Sequence, residues 1–288
     1  MFTCRDEYGP NFGVPLLGWL PDFQHIHLPE MFTQEEIRQR DQLYARTSRN
    51  ATRVIVSSED ARMDLEGFAP GATEKARVLH FVAQIPEKVY ATDPAQISLR
   101  YHLPERFIYL PNQFWRHKNH EVVIEALGLM KSKRPDIMIV CTGNTHDNRN
   151  PPYFGQLLSR IATLNLRDNL ILLGWVPHAD IFELMRQSLA VLQPSLFEGW
   201  STTVEEAKSL GKHALLSDIA VHREQDPSSV TFFNPRDPQA LAECLVRVYD
   251  ERKPGPDNEL EDAARRALPE RTREFGERFM KIVTEVAG

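Results

Sequence analysis

Two glutamates eight positions apart, Glu198 and Glu206, have the residue type and spacing that could bind a polyhydroxylated ligand. The surrounding pattern predicts an apolar strand over residues 189–193, then a loop, then a helix from about Thr203. Glu198 falls in the loop, where a carboxylate can accept two hydroxyls from a sugar and Gly199 permits close approach of the backbone. A solvated loop acid explains Glu198 equally well from the local pattern.

Glu206 also has a purely structural explanation. Thr203-x-x-Glu206 fits a capping box at a helix start, as does Thr202-x-x-Glu205. Taken alone, the local pattern favours this capping role for Glu206. Ser201 and the two threonines add backbone N–H donors of the kind that bind phosphate or sugar oxygens.

A second loop, residues 111–120, follows a predicted strand and runs into a predicted helix. Arg116 and Lys118 therefore lie at or just before a helix N-terminus, where the helix dipole makes each cation unfavourable by about 0.3–1 kcal/mol. A bound phosphate would reverse that sign, because free amides and both cations would then face an anion. A solvated pair of cations explains the pattern equally well.

Strands must position these loops. The alternation of strand and helix patterns predicts an α/β fold with roughly six parallel strands in the C-terminal part of the chain. The expected strands are residues 107–110, 137–141, 169–175, 189–193, 214–217 and 230–233. The N-terminal part predicts strands at 14–19, 54–56 and 78–81, and a capping box at Thr33 and Glu36 that opens a helix. A Pro-containing linker is expected between residues 86 and 104, and terminal helices over 258–286.

Composition narrows the class of protein. The 288 residues carry a net charge of -6, which argues weakly against a nucleic-acid surface. The sequence has no apolar run of the ~18 residues that a membrane span needs, and its first residues lack a signal-peptide pattern. Cys4, Cys141 and Cys244 are far apart, so we expect reduced, structural cysteines in a cytoplasmic protein.

Beyond these local patterns, residues 197–211, FEGWSTTVEEAKSLG, resemble the Glu-x7-Glu motif of the family 4 retaining glycosyltransferases, which have the GT-B fold. The Pro-Ser pair before this segment and the strand after it match as well. Residues 174–177, GWVP, followed by a helix, resemble the segment of that family that contacts the nucleotide base. The resemblance covers roughly residues 107–233.

The resemblance implies that Glu198 would hold hydroxyls of the donor sugar and Glu206 the ribose diol of the nucleotide. Lys118 would bind the diphosphate and support its departure, so Lys118 and Glu198 are the expected catalytic residues. The other expected donor-binding residues are Gln113, Arg116, Trp175, Val176, Gly199, Trp200, Ser201, Thr202 and Thr203. The donor would be a UDP- or GDP-linked sugar, and neither a metal nor a cofactor is expected.

Two departures from the family pattern concern the expected site. The family usually has an arginine five residues before the lysine, where this chain has Gln113, and Arg116 is a candidate substitute. Residues 21–30 resemble the family's His-Asp loop that lines the cleft, but Pro21 occupies the usual histidine position.

Within residues 21–30, Asp22, His25 and His27 are candidates to face the acceptor or the donor sugar. Hydrogen bonds from these side chains to nearby backbone explain them at least as well. His25-x-His27 also suggests a metal site, but the sequence offers no third ligand nearby.

The resemblance implies the GT-B organisation, with two Rossmann-like domains facing a cleft and the N-terminal one incomplete. We expect residues 1–95 to form the partial, acceptor-side domain and residues 96–270 the nucleotide-sugar-binding domain. Residues 271–288 would form a terminal helix, with packing against the N-terminal domain as one arrangement. The usual first strand and Gly-rich loop are not found before Val14, which suggests a fragment or a reduced acceptor half.

The expected function is transfer of a sugar, with retention, from a nucleotide-diphosphate donor to a saccharide or lipid-linked acceptor. We expect a hexosyltransferase that acts in the synthesis of cell-surface polysaccharides or glycans. We expect it in the cytoplasm, with peripheral contact with the inner face of the membrane as one arrangement. The alternative is a truncated, catalytically incomplete protein that binds nucleotide sugars. A nicotinamide-dependent oxidoreductase is disfavoured, because the sequence has no G-x-G-x-x-G after a predicted strand.

Overall fold

The computed structural model describes residues 2–3 and 13–287, so Cys4 lies outside the described residues. The chain forms two compact units. Unit 1 contains the residues up to Val82, the segment Phe197–Ser201 and the residues from Pro269 onward. Unit 2 contains Ala83–Leu196 and Thr202–Leu268, so residues 83–95 lie with the later part of the chain.

Unit 1 is built on a parallel sheet whose strands occur in chain order. The strands are β1 (Phe2–Thr3), β2 (Leu17–Leu20), β3 (Arg53–Val56) and β4 (Ala76–Val78). The strand expected at 14–19 therefore begins three residues later, and the one expected at 78–81 ends where it was expected to begin. A short strand does precede residue 14, because β1 pairs with β2.

Three helices accompany this sheet: α1 (Gln24–His27), α2 (Gln34–Asn50) and α3 (Glu59–Phe68). Helix α2 begins with the predicted capping box, in which Thr33 and Glu36 bond each other's backbone N–H groups. Ser58 caps α3 by accepting the backbone N–H of Ala61 at 3.0 Å. These caps fix where the helices start, and Leu20, Val54 and Leu65 fill the core beneath them.

Unit 2 contains a six-stranded parallel sheet, which confirms the predicted number and positions of its strands. The strands are β5 (Ile108–Pro111), β6 (Ile139–Thr142), β7 (Leu170–Gly174), β8 (Val191–Gln193), β9 (Ala214–Ser217) and β10 (Val230–Phe233). Their order across the sheet is β10-β9-β8-β5-β6-β7. Most strand residues are buried apolar side chains, as expected when helices cover both faces of a parallel sheet.

The helices of unit 2 follow its strands, and two of them lie in the expected linker. The first pair is α4 (Glu87–Ala91) and α5 (Ala95–Arg100), each starting directly after a proline. The rest are α6 (His120–Met130), α7 (Tyr153–Thr163), α8 (His178–Gln187), α9 (Thr202–Ser209), α10 (Ala220–Gln225) and α11 (Pro238–Glu251). Prolines at 86 and 94 therefore mark helix starts, where no backbone N–H is needed.

The C-terminal segment is one helix, α12 (Asn258–Ala287), with Pro269 inside it. Residues before Pro269 belong to unit 2 and later ones to unit 1. In unit 1, Ile282 packs with Leu17 and Ile55 of the sheet. Glu285 accepts hydrogen bonds from Arg53 on β3 and Arg77 on β4. No helix among residues 13–287 is both long and apolar enough to cross a bilayer.

Candidate functional site

The sheet of unit 2 reverses its strand order at β5 and β8. Strand β5 lies between β6 and β8. The chain extends the sheet from β5 toward one edge through β6 and β7, and then crosses over to extend it toward the other edge through β8, β9 and β10. In open parallel sheets, ligands bind beyond the carboxyl ends of the strands at such a switch point. The loop after β5 carries Arg116 and Lys118, and the chain after β8 leads into the glutamate segment.

The two loops at the switch point are bonded to each other. The backbone N–H of Leu196 donates to the His117 carbonyl oxygen at 2.8 Å. The Asn119 side-chain amide donates to the carbonyl oxygens of Pro194 (3.0 Å) and Pro235 (2.8 Å), which follow β8 and β10. Asn119 thus joins three strand-end loops and holds the lysine loop in place.

Sequence reasoning missed Asn119, although its residue type was a usable signal. Asn119 has a left-handed backbone (φ 57°) directly before α6. Asparagine is among the few non-glycine residues that tolerate this conformation. The local pattern could therefore have indicated a special backbone position, but not the carbonyl groups to which its side chain is bonded.

Lys118 and Arg116 lie in a short 3-10 turn, Arg116–Lys118, immediately before α6. Lys118 is half-buried and Arg116 is exposed. Burial, followed by the positive charge of Lys118, lowers the pKa of His120 to about 3, so this histidine is neutral. The Arg116 backbone N–H donates to a carboxylate oxygen of buried Asp147 at 3.4 Å. Both cations lie directly before the first residue of α6, the position relative to a helix that the sequence predicted.

Gln113 anchors the neighbouring loop, because its side-chain oxygen accepts the Asn144 backbone N–H at 2.7 Å. Directly before Asn144, Gly143 has a φ of +141°. A β-carbon on Gly143 would lie 2.1 Å from the Asn112 carbonyl oxygen, so only glycine fits between the strand ends. The side chain at position 113 therefore holds the loop after β6 beside the loop after β5.

The segment between β7 and α8 presents one aromatic side chain to solvent. Trp175 is 79% exposed, whereas Val176 next to it is buried and anchors the segment. An exposed indole is unusual for so large an apolar group, and it offers a flat surface for stacking. The predicted base-binding residues therefore include one accessible ring and one buried anchor.

The acidic residues of α9 do not form the capping boxes expected from the sequence. The helix begins at Thr202, so Thr203 lies inside its first turn and its hydroxyl donates to the Pro111 carbonyl oxygen at 3.4 Å. Glu206 instead contacts His178, with Oε1 and Nε2 3.3 Å apart. Glu205 is buried and accepts from the Gln225 side-chain amide at 3.3 Å. The side chains of Thr203 and Glu206 therefore bond partners outside the first turn of α9.

The Glu206 carboxylate is a buried group with an imidazole as its partner. The residue is 7% exposed, and burial raises the pKa of Glu206. The His178 imidazole acts in the opposite direction, through its hydrogen bond and its charge. His178 is another site residue that the sequence pattern does not single out, because the pattern marks it only as the start of a helix.

Residues Phe197–Ser201 pack within unit 1. Gly199 lies against the turn at Pro21, because a β-carbon there would be 2.3 Å from the Pro21 carbonyl oxygen. The Trp200 ring stacks on His80 with centroids 4.1 Å apart, and its Nε1–H donates to the Phe81 carbonyl oxygen at 3.1 Å. Glu198 is half-buried within this segment, and Ser201 is buried.

The three acceptor-side candidates of unit 1 differ in accessibility. Asp22 accepts the Gln24 backbone N–H at 2.9 Å. His25 is 1% exposed and lies among aromatic rings of the core, and burial lowers its pKa, so its position gives no support to contact with an acceptor. His27 is partly exposed, bonds Asp64 at 2.7 Å and stacks on Phe197.

The described part of the chain holds no group of three His, Cys, Asp or Glu side chains able to bind a metal ion. A cavity of about 300 Å³ lies at the opposite, amino end of β9, beside Lys212 and His213. The Lys212 ammonium donates to the carbonyl oxygens of Arg186 (3.1 Å) and Gly255 (2.8 Å). Lys212 therefore links the end of α8 to the connection between α11 and α12.

A parallel sheet that reverses its strand order between β5 and β8, with helices after its strands, is the open α/β architecture whose strand-end loops bind ligands. The chain belongs to the glycosyltransferases of group 1, because the family profile described as "Glycosyl transferases group 1" matches residues 98–267, more than half of the sequence. A search of curated protein sequences finds no match.

Solved structures agree with this assignment of the fold. HepE from Anabaena, in complex with UDP and glucose, is 22% identical with a TM-score of 0.69, and the match covers 94% of this chain and 69% of HepE. Sucrose-phosphate synthase from Thermosynechococcus elongatus is 16% identical with a TM-score of 0.72, covering 95% of this chain and 69% of the synthase. The expected α/β fold of the GT-B type is confirmed.

Proposed function

We propose that this chain is a metal-independent, retaining glycosyltransferase of family 4 that uses a UDP- or GDP-linked sugar. The observation that carries the proposal is the arrangement at the β5/β8 switch point, where the Lys118 loop and the helix of Glu206 follow adjacent strands. The Glu-x7-Glu spacing and the similarity of the fold to HepE, which was crystallised with UDP and glucose, support the same proposal.

The proposed nucleotide site assigns one part of the donor to each feature. Glu206 accepts the two ribose hydroxyls, and Trp175 with Val176 contacts the base. Lys118 binds the diphosphate, with Arg116 as the second cation where the family has arginine. The remaining assigned donor-binding residues are Gln113, Gly199, Trp200, Ser201, Thr202 and Thr203. The N-terminus of α6 adds positive potential beside the phosphates.

The proposed reaction forms a new glycosidic bond on the face that the nucleotide leaves. The bond from the anomeric carbon to the diphosphate oxygen breaks, and the acceptor hydroxyl oxygen bonds to that carbon. The hydroxyl proton passes to the departing phosphate oxygen, so no protein nucleophile is required. Lys118 stabilises the negative charge that develops on the leaving diphosphate, and Glu198 holds hydroxyls of the sugar.

The proposed acceptor is a saccharide or a lipid-linked saccharide of cell-surface polysaccharide or glycan synthesis. Asp22 and His27 are the acceptor-side candidates that the geometry favours, because His25 is buried. The protein would act where its acceptor is found, either in the cytoplasm or at the inner face of the membrane. No cofactor takes part in this proposal.

A thermal-shift panel of UDP-, GDP- and ADP-sugars tests the nucleotide site and identifies the base. We expect one nucleotide to raise the melting temperature, because a ligand that binds only the folded state stabilises it. Glu206→Ala should weaken binding of that nucleotide by about tenfold or more in calorimetry, since a carboxylate hydrogen bond contributes about 1.5–3 kcal/mol. A shift with no nucleotide would contradict the proposal.

Turnover separates the enzyme from a protein that only binds nucleotide sugars. We expect release of the free nucleoside diphosphate from the sugar that gives the largest shift, first by slow hydrolysis and faster with an acceptor. Anomeric configuration in the product, read by NMR, tests retention. Binding without any release would favour the non-catalytic alternative.

A further inference from the structure

His178 contacts the one carboxylate that the proposed site needs for the ribose. It is the first residue of α8, and its Nε2 lies 3.3 Å from Oε1 of Glu206 on α9. The His178 side chain is 69% exposed, whereas that of Glu206 is only 10% exposed. The imidazole therefore lies at the solvent side of a buried acid.

The His178 ring is held in place on its other side. It packs edge-on against Phe182, one turn further along α8, with ring centroids 4.8 Å apart and an interplanar angle of 71°. Phe182 is fully buried and cannot move with the solvent-exposed ring. A side chain fixed between a buried ring and a carboxylate is positioned by the fold, unlike a free surface histidine.

The contact uses only one oxygen of the carboxylate. Within residues 13–287, hydrogen bonds to the Glu206 carboxylate reach Oε1 alone, so Oε2 remains for a ligand. A ribose diol donates two hydroxyl protons, and an ionised carboxylate can accept both without offering a competing donor. Burial raises the pKa of Glu206 and the His178 contact acts against that rise, so the histidine favours the ionised acceptor form.

We propose that His178 is a positioning residue of the nucleotide site, which orients the Glu206 carboxylate toward the ribose hydroxyls. This inference rests on the proposed function. His178 acts through Glu206 and therefore affects nucleotides that carry the diol. Trp175, three residues earlier and exposed, places the base-binding segment on the same connection as this histidine.

The test compares a ribonucleoside diphosphate with its 2′,3′-dideoxy analogue by calorimetry. The base is the one selected by the thermal-shift panel. His178→Ala should weaken binding of the ribonucleotide about five- to tenfold and leave the dideoxy analogue within about twofold, because only the ribonucleotide bonds Glu206. His178→Gln, which keeps a hydrogen-bond donor at this position, should lose less affinity than His178→Ala.

A double-mutant cycle measures whether the two residues act together. The variant with both His178→Ala and Glu206→Ala should bind the ribonucleotide no more weakly than Glu206→Ala alone. His102→Asn is the matched histidine control, since His102 is exposed before the amino end of β5 and its left-handed backbone (φ 52°) suits asparagine. We expect native affinity from this control.

The outcomes separate this inference from the proposal on which it rests. Unchanged ribonucleotide affinity in His178→Ala, or an equal loss for the dideoxy analogue, would overturn the positioning role while the nucleotide site stands. A native chain that binds none of the nucleotides would contradict the proposed function itself, and this inference with it. Equal unfolding temperatures of the variants confirm that each is folded.

Discussion

The two halves of the glutamate motif belong to different compact units. Residues Phe197–Ser201 pack within unit 1, through Gly199 against Pro21 and Trp200 against His80. Residues Thr202–Ser209 form α9 of unit 2, where Glu206 contacts His178. The boundary falls between adjacent residues, Ser201 and Thr202.

Residues that are continuous in sequence therefore need not share a structural environment. One half of the motif is fixed by a tight backbone approach and a ring stack. The other half is a helix whose side chains bond tertiary partners at the switch point. Changes in the first half should therefore perturb the packing of unit 1, whereas changes around the second should perturb the binding of nucleotide.

The largest expected effect is on the unit 2 side, at Lys118. Lys118→Ala should lower the rate of sugar transfer or donor hydrolysis by about 10²–10³, because it removes the charge that stabilises the leaving diphosphate. Nucleotide release at saturating donor measures this loss. Arg116→Ala, the matched cation two residues earlier, should cost about tenfold. Full activity in Lys118→Ala would remove this lysine from the diphosphate site.

Acid should weaken unit 2 through His213, which leads from the end of α9 into β9. Burial lowers the pKa of His213 from 6.5 to about 4, and its ring nitrogens bond Ser229 (2.8 Å) and Thr231 (3.2 Å). Between these pKa values the unfolded chain binds the proton and the folded chain does not, so stability falls as the pH falls. The expected loss from pH 7 to pH 4 is about 3 kcal/mol.

Chemical denaturation at several pH values measures that loss. His213→Gln should show a smaller decrease in the free energy of unfolding on acidification than the native chain, because glutamine does not titrate. Contributions of other groups, including His25 in unit 1, cancel in the difference between the two chains. Parallel pH profiles for the two chains would contradict this assignment.

The unit 1 side can be tested at Gly199. Gly199→Ala should lower the free energy of unfolding by about 1–3 kcal/mol, because its β-carbon would lie 2.3 Å from the Pro21 carbonyl oxygen and 2.9 Å from the Asp22 β-carbon. Gly155→Ala is the control, since that helical glycine has no atom within 4 Å of an added β-carbon. The control should be neutral or stabilising by up to about 1 kcal/mol.

The smallest expected effect separates hydrogen bonding from stacking at Trp200. Trp200→Phe keeps an aromatic ring over His80 but loses the donor to the Phe81 carbonyl oxygen, which should cost about 1 kcal/mol in thermal unfolding. Thr203→Val, on the other half of the motif, removes a longer contact of 3.4 Å to Pro111 and should cost less. A larger loss of stability in Thr203→Val than in Trp200→Phe would contradict this ranking of the two hydrogen bonds.

The sequence was a good guide to unit 2 and a weaker one to unit 1. The central strands of the six-stranded sheet are short, largely buried apolar runs bounded by turns, which gives a strong signal. Residues 86–104, where the prolines predict a linker, contain the short helices α4 and α5, which begin directly after Pro86 and Pro94. In unit 1, β4 ends at Val78 because its pairing with β3 ends there. The apolar residues continue beyond Val78, so the apolar pattern predicts a strand that lies later in the chain than β4.

The candidate site was predictable as a set of residue types, but its contacts were not. The cations and the glutamates could be located by their loops, and the reversal of strand order explains why those loops adjoin. The His178–Glu206 and Asn119–Pro235 contacts join residues far apart in the chain, and no local pattern encodes them. The expected capping box of Thr203 and Glu206 does not form for the same reason, because both side chains bond residues far away in the chain.

Helix α12 has a consequence for biosynthesis. Its residues after Pro269 belong to unit 1, where Ile282 covers Leu17 and Ile55. During translation, β2 and β3 leave the ribosome long before that helix is made, so the apolar face formed by these residues waits uncovered. Exposed apolar surface of this kind makes a nascent chain prone to association. Unit 1 therefore covers this face only after the chain of unit 2 has been synthesised.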